Sequence, residues 1–232
     1  VRTVSDTKRA FYGAYTRPIN SVYRRVVEEL MVEMHLLSVN VNFSDSPIYE
    51  LGVVTSFDRF MQGYRPEPEV PAIFNALCNA VGAKADKYRQ QAEQVRSELA
   101  SASWSDLTQA TLSGSVGEAL QAVSQNPKFQ YSRLFAIGLY TLLEAVDPSA
   151  VKDAGKRTDA LTTLADMLHL SVDRIAKDLE VYCSNLEKMT QAQQAIADTI
   201  AAERKRREQR EQEKVRSSAQ SESSPGEADS NT

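Results

Sequence analysis

From Val172 onward the apolar and small residues fall at Ile175, Leu179, Tyr182, Leu186, Met189, Gln193, Ile196 and Ile200, at spacings that alternate four and three. That is a heptad seam with one polar position, Gln193, and it predicts a single continuous helix. Carried to Arg216, such a helix is about 65 Å long at 1.5 Å per residue. A compact domain of this chain's size is only about 35 Å across. The helix is therefore expected either to project or to pair with something. The second half of the seam sets Ala192, Ala195 and Ala197 around Gln193 and Ile196, so it would pair weakly and suits a transient partner helix. The seam alone does not distinguish a partner helix from a second copy of the chain.

The rest of the chain repeats the helical period. Asn20 or Ser21 caps a segment whose Tyr23, Val26, Leu30, Met34 and Leu37 form one stripe. Ser46 and Pro47 open the next helix, to about Gly63, with proline at the first position, where a missing N–H costs nothing. Further helices are expected at about 71–81 and 84–100, with a shorter one around Trp104. Ser115 and Glu118 form a capping-box pattern. The segment "FQYSRLFAIGLYTLLEAV", Phe129–Val146, is apolar nearly all round and reads as the central helix. Its Gly138 costs about 1 kcal/mol against alanine, which points to close approach by another helix. Thr158–Leu170 is the last helix before the seam. The fold class is all-α, a multi-helix bundle with a long coiled-coil-like C-terminal helix. The bundle is expected over residues 1–170, the long helix over 171–216, and a disordered tail of low hydrophobicity over 217–232.

Composition narrows the function. Of 232 residues, 42% are hydrophobic and the formal net charge is −4, against the strong positive excess usual in nucleic-acid binders. The isolated Cys78, Cys183, His35 and His169 show no metal-ligand spacing. The two cysteines imply a reducing compartment, and the two histidines give little basis for a pigment ligand. No apolar run reaches the ~20 residues that span a bilayer, and "VRTVSDTKRAF" has no hydrophobic signal core. Any membrane association is expected to be peripheral.

Three features could carry chemistry or binding. Asp58 sits on one helical face with Leu51, Val54 and Met61. Acid–base catalysis would need a partner group and a pocket, and no His, Cys or second carboxylate lies at helical spacing. A structural ion pair is the better reading, with Arg133 as the candidate cation and Lys8 or Arg9 as alternatives. "LTTLADMLHLSVDRIAKDL" has the apolar skeleton of a helix-turn-helix over 161–180, the rival reading as a nucleic-acid-binding regulator. Its second helix, however, carries Asp173, Asp178 and Glu180 toward what would be a phosphate backbone. The run 203–216 has seven basic and four acidic residues, so the net charge there is positive. Arg204, Lys205, Arg206, Arg207 and Arg210 form a candidate basic patch for RNA, anionic lipid or an acidic protein. It lacks the aromatics of a single-strand binder, and a solvated end laced with Glu–Arg pairs is the simpler reading.

Three stretches, "TVSDTKRAFYGAYTRPINSVYRRVVEELMVEMHL", "LGVVTSFDRFMQGY" and "FQYSRLFAIGLYTLLEA", closely resemble the Thylakoid Formation family of cyanobacteria and chloroplasts, also called the photosystem II biogenesis family. The likeness runs from about Thr3 to about Ala197, and without a transit peptide it points to the cyanobacterial version. It implies a non-enzymatic helical auxiliary protein, without a cofactor, in thylakoid biogenesis and in photosystem II assembly or repair. The implied partners are the membrane-bound FtsH protease, whose accumulation the family supports, and photosystem II assembly intermediates. The implied place is the cytoplasmic or stromal face of the thylakoid, soluble or peripheral. No catalytic residue is implied. The partner-binding seam would use Leu186, Met189, Gln193, Ile196 and Ile200.

Overall fold

Every predicted helix is present in the computed structural model, and the described residues contain no strand. The structure describes residues 2–109 and 111–222; of Thr108 and residues 214–222 it describes the backbone alone. Side-chain caps set most helix starts, because each start leaves N–H groups that need acceptors. Thr3 and Asp6 make a reciprocal capping box at α1, Val4–Ala14. Asn20 caps α2, Ser21–Ser38, and Ser46 caps α3, Pro47–Phe60, with its hydroxyl accepting from the Tyr49 N–H. Helix α4, Val70–Val81, ends at Gly82, whose φ of +84° is a left-handed conformation that glycine adopts without strain.

Helices α5, Ala85–Leu99, α6, Trp104–Thr108, and α7, Gly114–Ser124, follow. The capping box expected at Ser115–Glu118 is not what starts α7. Glu98, near the end of α5, accepts instead from the Ser115 hydroxyl at 2.9 Å and the Val116 N–H at 3.2 Å. A tertiary carboxylate has taken the place of the local one. Helix α8, Arg133–Val146, is capped by Ser132 and begins four residues later than the apolar pattern, which starts at Phe129. Short α9, Pro148–Lys152, and α10, Ala154–Met167, lead to α11, Val172–Glu222.

The expected domain limits shift. The chain divides into two units, Val1–Glu187 and Lys188–Thr232. The bundle therefore continues past residue 170, because Ile175, Leu179 and Tyr182 on the first turns of α11 are buried in it. Residues 217–222, expected in the tail, continue the helix; 223–232 lie outside the described residues. Within the first unit α3 packs against α8, α5, α2 and α7. The central position expected of α8 is thus shared with α3, on which every residue from Ile48 to Phe57 is buried.

Candidate functional site

The crossing of α3 and α8 is a backbone-to-backbone contact. A Cβ at Gly138 would lie 2.0 Å from the Ile48 carbonyl oxygen, and one at Gly52 would lie 1.8 Å from the Leu134 carbonyl oxygen. Neither obstacle is a flexible side chain. Gly138 thus has the close helix neighbour its position implied. Gly52, its counterpart on α3, carries no comparable signal in "LGVV", where a small residue among large ones is unremarked.

Asp58 does not pair with Arg133. Its two oxygens accept from Arg89 on α5 at 2.7 and 2.6 Å. Arg133 donates to Glu33 on α2 at 2.6 Å. The alternatives are also engaged elsewhere, Lys8 with Glu28 and Arg9 with Asp6. The reason is rotation about the α3 axis. Gly52 faces α8, and Asp58, six residues on, points about 120° away at 3.6 residues per turn, toward α5. The pair is also not buried, since the Asp58 side chain keeps 42% of its exposure. Arg89 further places its guanidinium 4.3 Å from the Phe74 ring centre, a cation–π contact that orients it. Arg59, the neighbour of Asp58, points the other way and bonds Glu144 on α8.

The buried carboxylate of α3 is Glu50, which the sequence reading did not single out. Its side chain is 2% exposed and meets the Lys87 ammonium at 2.8 Å. Its second oxygen, Oε2, has no hydrogen-bond partner among the described residues. Burial pushes the Glu50 carboxyl above the usual range, opposed by the Lys87 hydrogen bond and charge. The ammonium, in turn, is held more firmly protonated, chiefly by its bond to Glu50. These directions conflict, one disfavouring the charged pair and one favouring it. Burial decides for Glu50, because the Lys87 side chain is half-exposed and keeps its water. Asp45 joins the group, 3.7 Å from Lys87 and accepting from the Tyr88 hydroxyl at 3.0 Å. A small hollow lined by Phe43, Asp45, Tyr49 and Tyr88 lies beside it, and Glu50 is not among its lining residues. The arrangement ties α3 to α5 rather than presenting an acid to a ligand.

The isolated ionisable residues are also structural. Buried His35 bonds through Nδ1 to the Thr7 hydroxyl at 2.8 Å, which fixes α1 on α2. His169 takes φ +56° in the turn between α10 and α11. Cys78 is buried, its thiol pushed up to about 12 by loss of solvent. Among the described residues no group of three or more His, Cys, Asp or Glu could hold a metal ion, and no helix is long and apolar enough to cross a membrane.

The helix-turn-helix skeleton is spent on packing. Leu164, Ala165, Leu168, Ile175 and Leu179 are buried. On the would-be reading helix, Asp178 accepts from the Tyr131 hydroxyl at 2.8 Å, and Arg174 stacks 4.5 Å from the Tyr131 ring centre. Two polar residues that would have to reach a groove are thereby engaged with the loop before α8.

The remaining candidate is the far end of α11. Along the seam Met189 is buried, Leu186 and Gln193 are half-buried, and Ile196 and Ile200 are 36% and 61% exposed. Every described side chain from Gln194 to Glu213 is exposed. The basic patch is laced as the charge pattern implied, with Arg204 to Glu208 at 3.2 Å and Arg207 to Glu211 at 3.3 Å.

Known proteins match this architecture closely. The profile of the Thylakoid formation protein family matches residues 3–211. Protein Thf1 of Trichormus variabilis is 58% identical over 221 residues, covering 92% of this chain and 94% of its own. Protein Thf1 of Synechocystis is 50% identical over 216 residues, covering 90% and 89%. A solved structure of Psb29 is 41% identical, with a TM-score of 0.80, and covers 89% of this chain and 99% of its own. The chain belongs to the Thylakoid formation protein family. The family match extends beyond the bundle through the exposed stretch of α11 that carries Ile196, Ile200, Arg207 and Arg210. In this member of the family, then, the buried ionisable groups brace helices, while Ile196 and Ile200 of the seam stand exposed.

Proposed function

We propose that the chain is a non-enzymatic adaptor in thylakoid membrane biogenesis and in photosystem II assembly or repair. It supports accumulation of the FtsH protease by protein–protein contact and also contacts photosystem II assembly intermediates. It works at the cytoplasmic or stromal face of the thylakoid, soluble or peripheral, with no nucleic-acid partner. The reading is supported by membership of the Thylakoid formation protein family. The observation that carries it is the apolar seam of α11, which runs from buried Met189 to exposed Ile196 and Ile200. Exposed aliphatics at coiled-coil spacing mark a surface for another helix. The contrast inside the bundle supports it too, since Asp58, Glu50 and His35 each answer to a structural partner. The test is recovery of FtsH from detergent extracts of thylakoids by the full chain and by a chain ended after Met189. The shortened chain is expected to fold and to recover less protease; equal recovery refutes α11 as the docking arm.

A further inference from the structure

The seam of α11 continues past Ile200 in unbroken register, and its chemistry changes. The next positions at the same alternating spacing are Glu203, Arg207 and Arg210. In a parallel two-stranded coil each seam residue meets its own copy. A second copy of this chain would therefore place Glu203 on Glu203, Arg207 on Arg207 and Arg210 on Arg210. Three successive layers of like charge follow only two aliphatic layers, Ile196 and Ile200. An antiparallel copy fares no better. Centred on Ile196 and Ile200, it would need Met189 and Tyr182 to face Arg207 and the residues beyond, yet both are already buried. The overlap left, about 193–203, is shorter than the ~12–15 residues below which helices are marginal in water.

The arginines beside the seam extend the same bias. Heptad register sets Arg204 and Arg206 at the flanking positions that meet a partner helix, and turns Lys205 to the outside. All are exposed. The i,i+4 bonds from Arg204 to Glu208 and from Arg207 to Glu211 align these side chains along the helix. They do not neutralise Arg206 and Arg210, which among the described residues form no ion pair with Glu203 or Glu213.

We infer that the exposed end of α11 is built to take a helix of a different protein, one that carries aliphatic residues opposite Ile196 and Ile200 and carboxylates opposite Arg207 and Arg210. The aliphatic layers supply contact area, and the charged layers reject self-pairing and select the partner. The inference rests on the reading of α11 as the docking arm and adds the chemistry of its occupant.

The test uses the full chain and two fluorescein-labelled helical peptides of about four heptads. One has an aliphatic seam that ends in glutamates; in the other, lysines replace the glutamates. The glutamate peptide is expected to bind at least roughly tenfold more tightly than the lysine peptide, and the gap to close as salt is raised. Arg207→Glu/Arg210→Glu should reverse the preference, and Ile196→Asp/Ile200→Asp should abolish binding of both. Light scattering on the eluted chain should give a monomer. Equal binding of the two peptides, binding of neither, or a dimer dispersed by Ile196→Asp/Ile200→Asp overturns the inference. Because all four positions are exposed, the thermal midpoint serves as the folding control, with Ile196→Ser/Ile200→Ser as the milder pair. The docking-arm reading fails separately, if truncation after Met189 leaves protease recovery unchanged whatever the peptides do.

Discussion

The α3–α8 crossing and the far end of α11 are both helical, and they are held by opposite means. At the crossing, two glycines let backbones touch, and every α3 residue from Ile48 to Phe57 is buried. From Gln194 to Glu213 on α11, every described side chain is exposed. That stretch is helical through local causes. It is rich in Ala, Glu, Gln and Arg, which favour helix, and it is laced by i,i+4 pairs worth a few tenths of a kcal/mol each. The first region needs nothing outside the chain. The second has stability enough to stay helical and no core of its own to bury Ile196 and Ile200. The difference separates a region held by tertiary burial from one held by local helix propensity alone.

The contrast breaks most directly at Gly52. Gly52→Ala would set a methyl group 1.8 Å from the Leu134 carbonyl oxygen, so α3 and α8 must move apart. Overpacking against rigid backbone lies at the top of the usual range, and a loss of about 3 kcal/mol or more is expected. Urea unfolding followed by circular dichroism would read it. A loss below about 1 kcal/mol would show that the crossing is looser than its geometry.

The second effect is at Lys87. Lys87→Met leaves the buried Glu50 carboxylate without its cation, and about 1–3 kcal/mol is expected at neutral pH. The pH dependence has a definite sign. The folded-state carboxyl is raised above its ordinary 4.5, so the folded protein holds that proton more readily than the unfolded chain. Its contribution is full below the unfolded carboxyl range and fades as pH rises through the raised folded value. Losing the ammonium widens that window. The deficit of Lys87→Met should therefore shrink on acidification, and adding Glu50→Gln should flatten it. Urea midpoints across the acid-to-neutral range would check both; a deficit independent of pH removes Glu50 from the explanation.

These positions also mark how far the fold and the candidate site were legible in the sequence. Capping residues beside proline, such as Ser46–Pro47, and the lone glycine of an apolar helix, Gly138, act within a few residues of themselves, and both could be read. Glu50 could not, because an acid in the first turn of a helix already has a local reason, the positive end of the dipole. The partner of Asp58 depends on how α3 is rotated between α8 and α5, and periodicity fixes a face without naming what lies opposite it. Glu98 as the cap of α7 is non-local in the same way. The seam of α11 was visible as a pattern. Where burial ends along it, between Met189 and Ile196, is a tertiary property that periodicity does not encode.

A smaller effect follows from the corrected pair. A buried Asp58 would cost about 3–5 kcal/mol when neutralised. Paired with Arg89 at 42% exposure, Asp58→Asn is expected to cost about 1 kcal/mol or less. Arg89→Ala should cost more than Asp58→Asn, because it also removes the contact with Phe74. A thermal scan of the two variants decides the order, and a larger loss for Asp58→Asn would restore a buried role for the carboxylate.

The smallest effect on stability should come from the largest deletion. Ending the chain after Met189 keeps Ile175, Leu179, Tyr182 and Met189, the buried seam residues. Among the described side chains it removes, those from Gln194 to Glu213 are exposed, and exposed positions away from caps and cores contribute within about 0.5 kcal/mol. The urea midpoint of the bundle should therefore barely move, while mean helicity falls in proportion to the residues removed. A drop of several kcal/mol would mean that the distal half of α11 is part of what folds the chain. The division between a self-sufficient bundle and a binding arm would then be drawn in the wrong place. An unchanged midpoint together with lost protease recovery would put the function of α11 where burial ends.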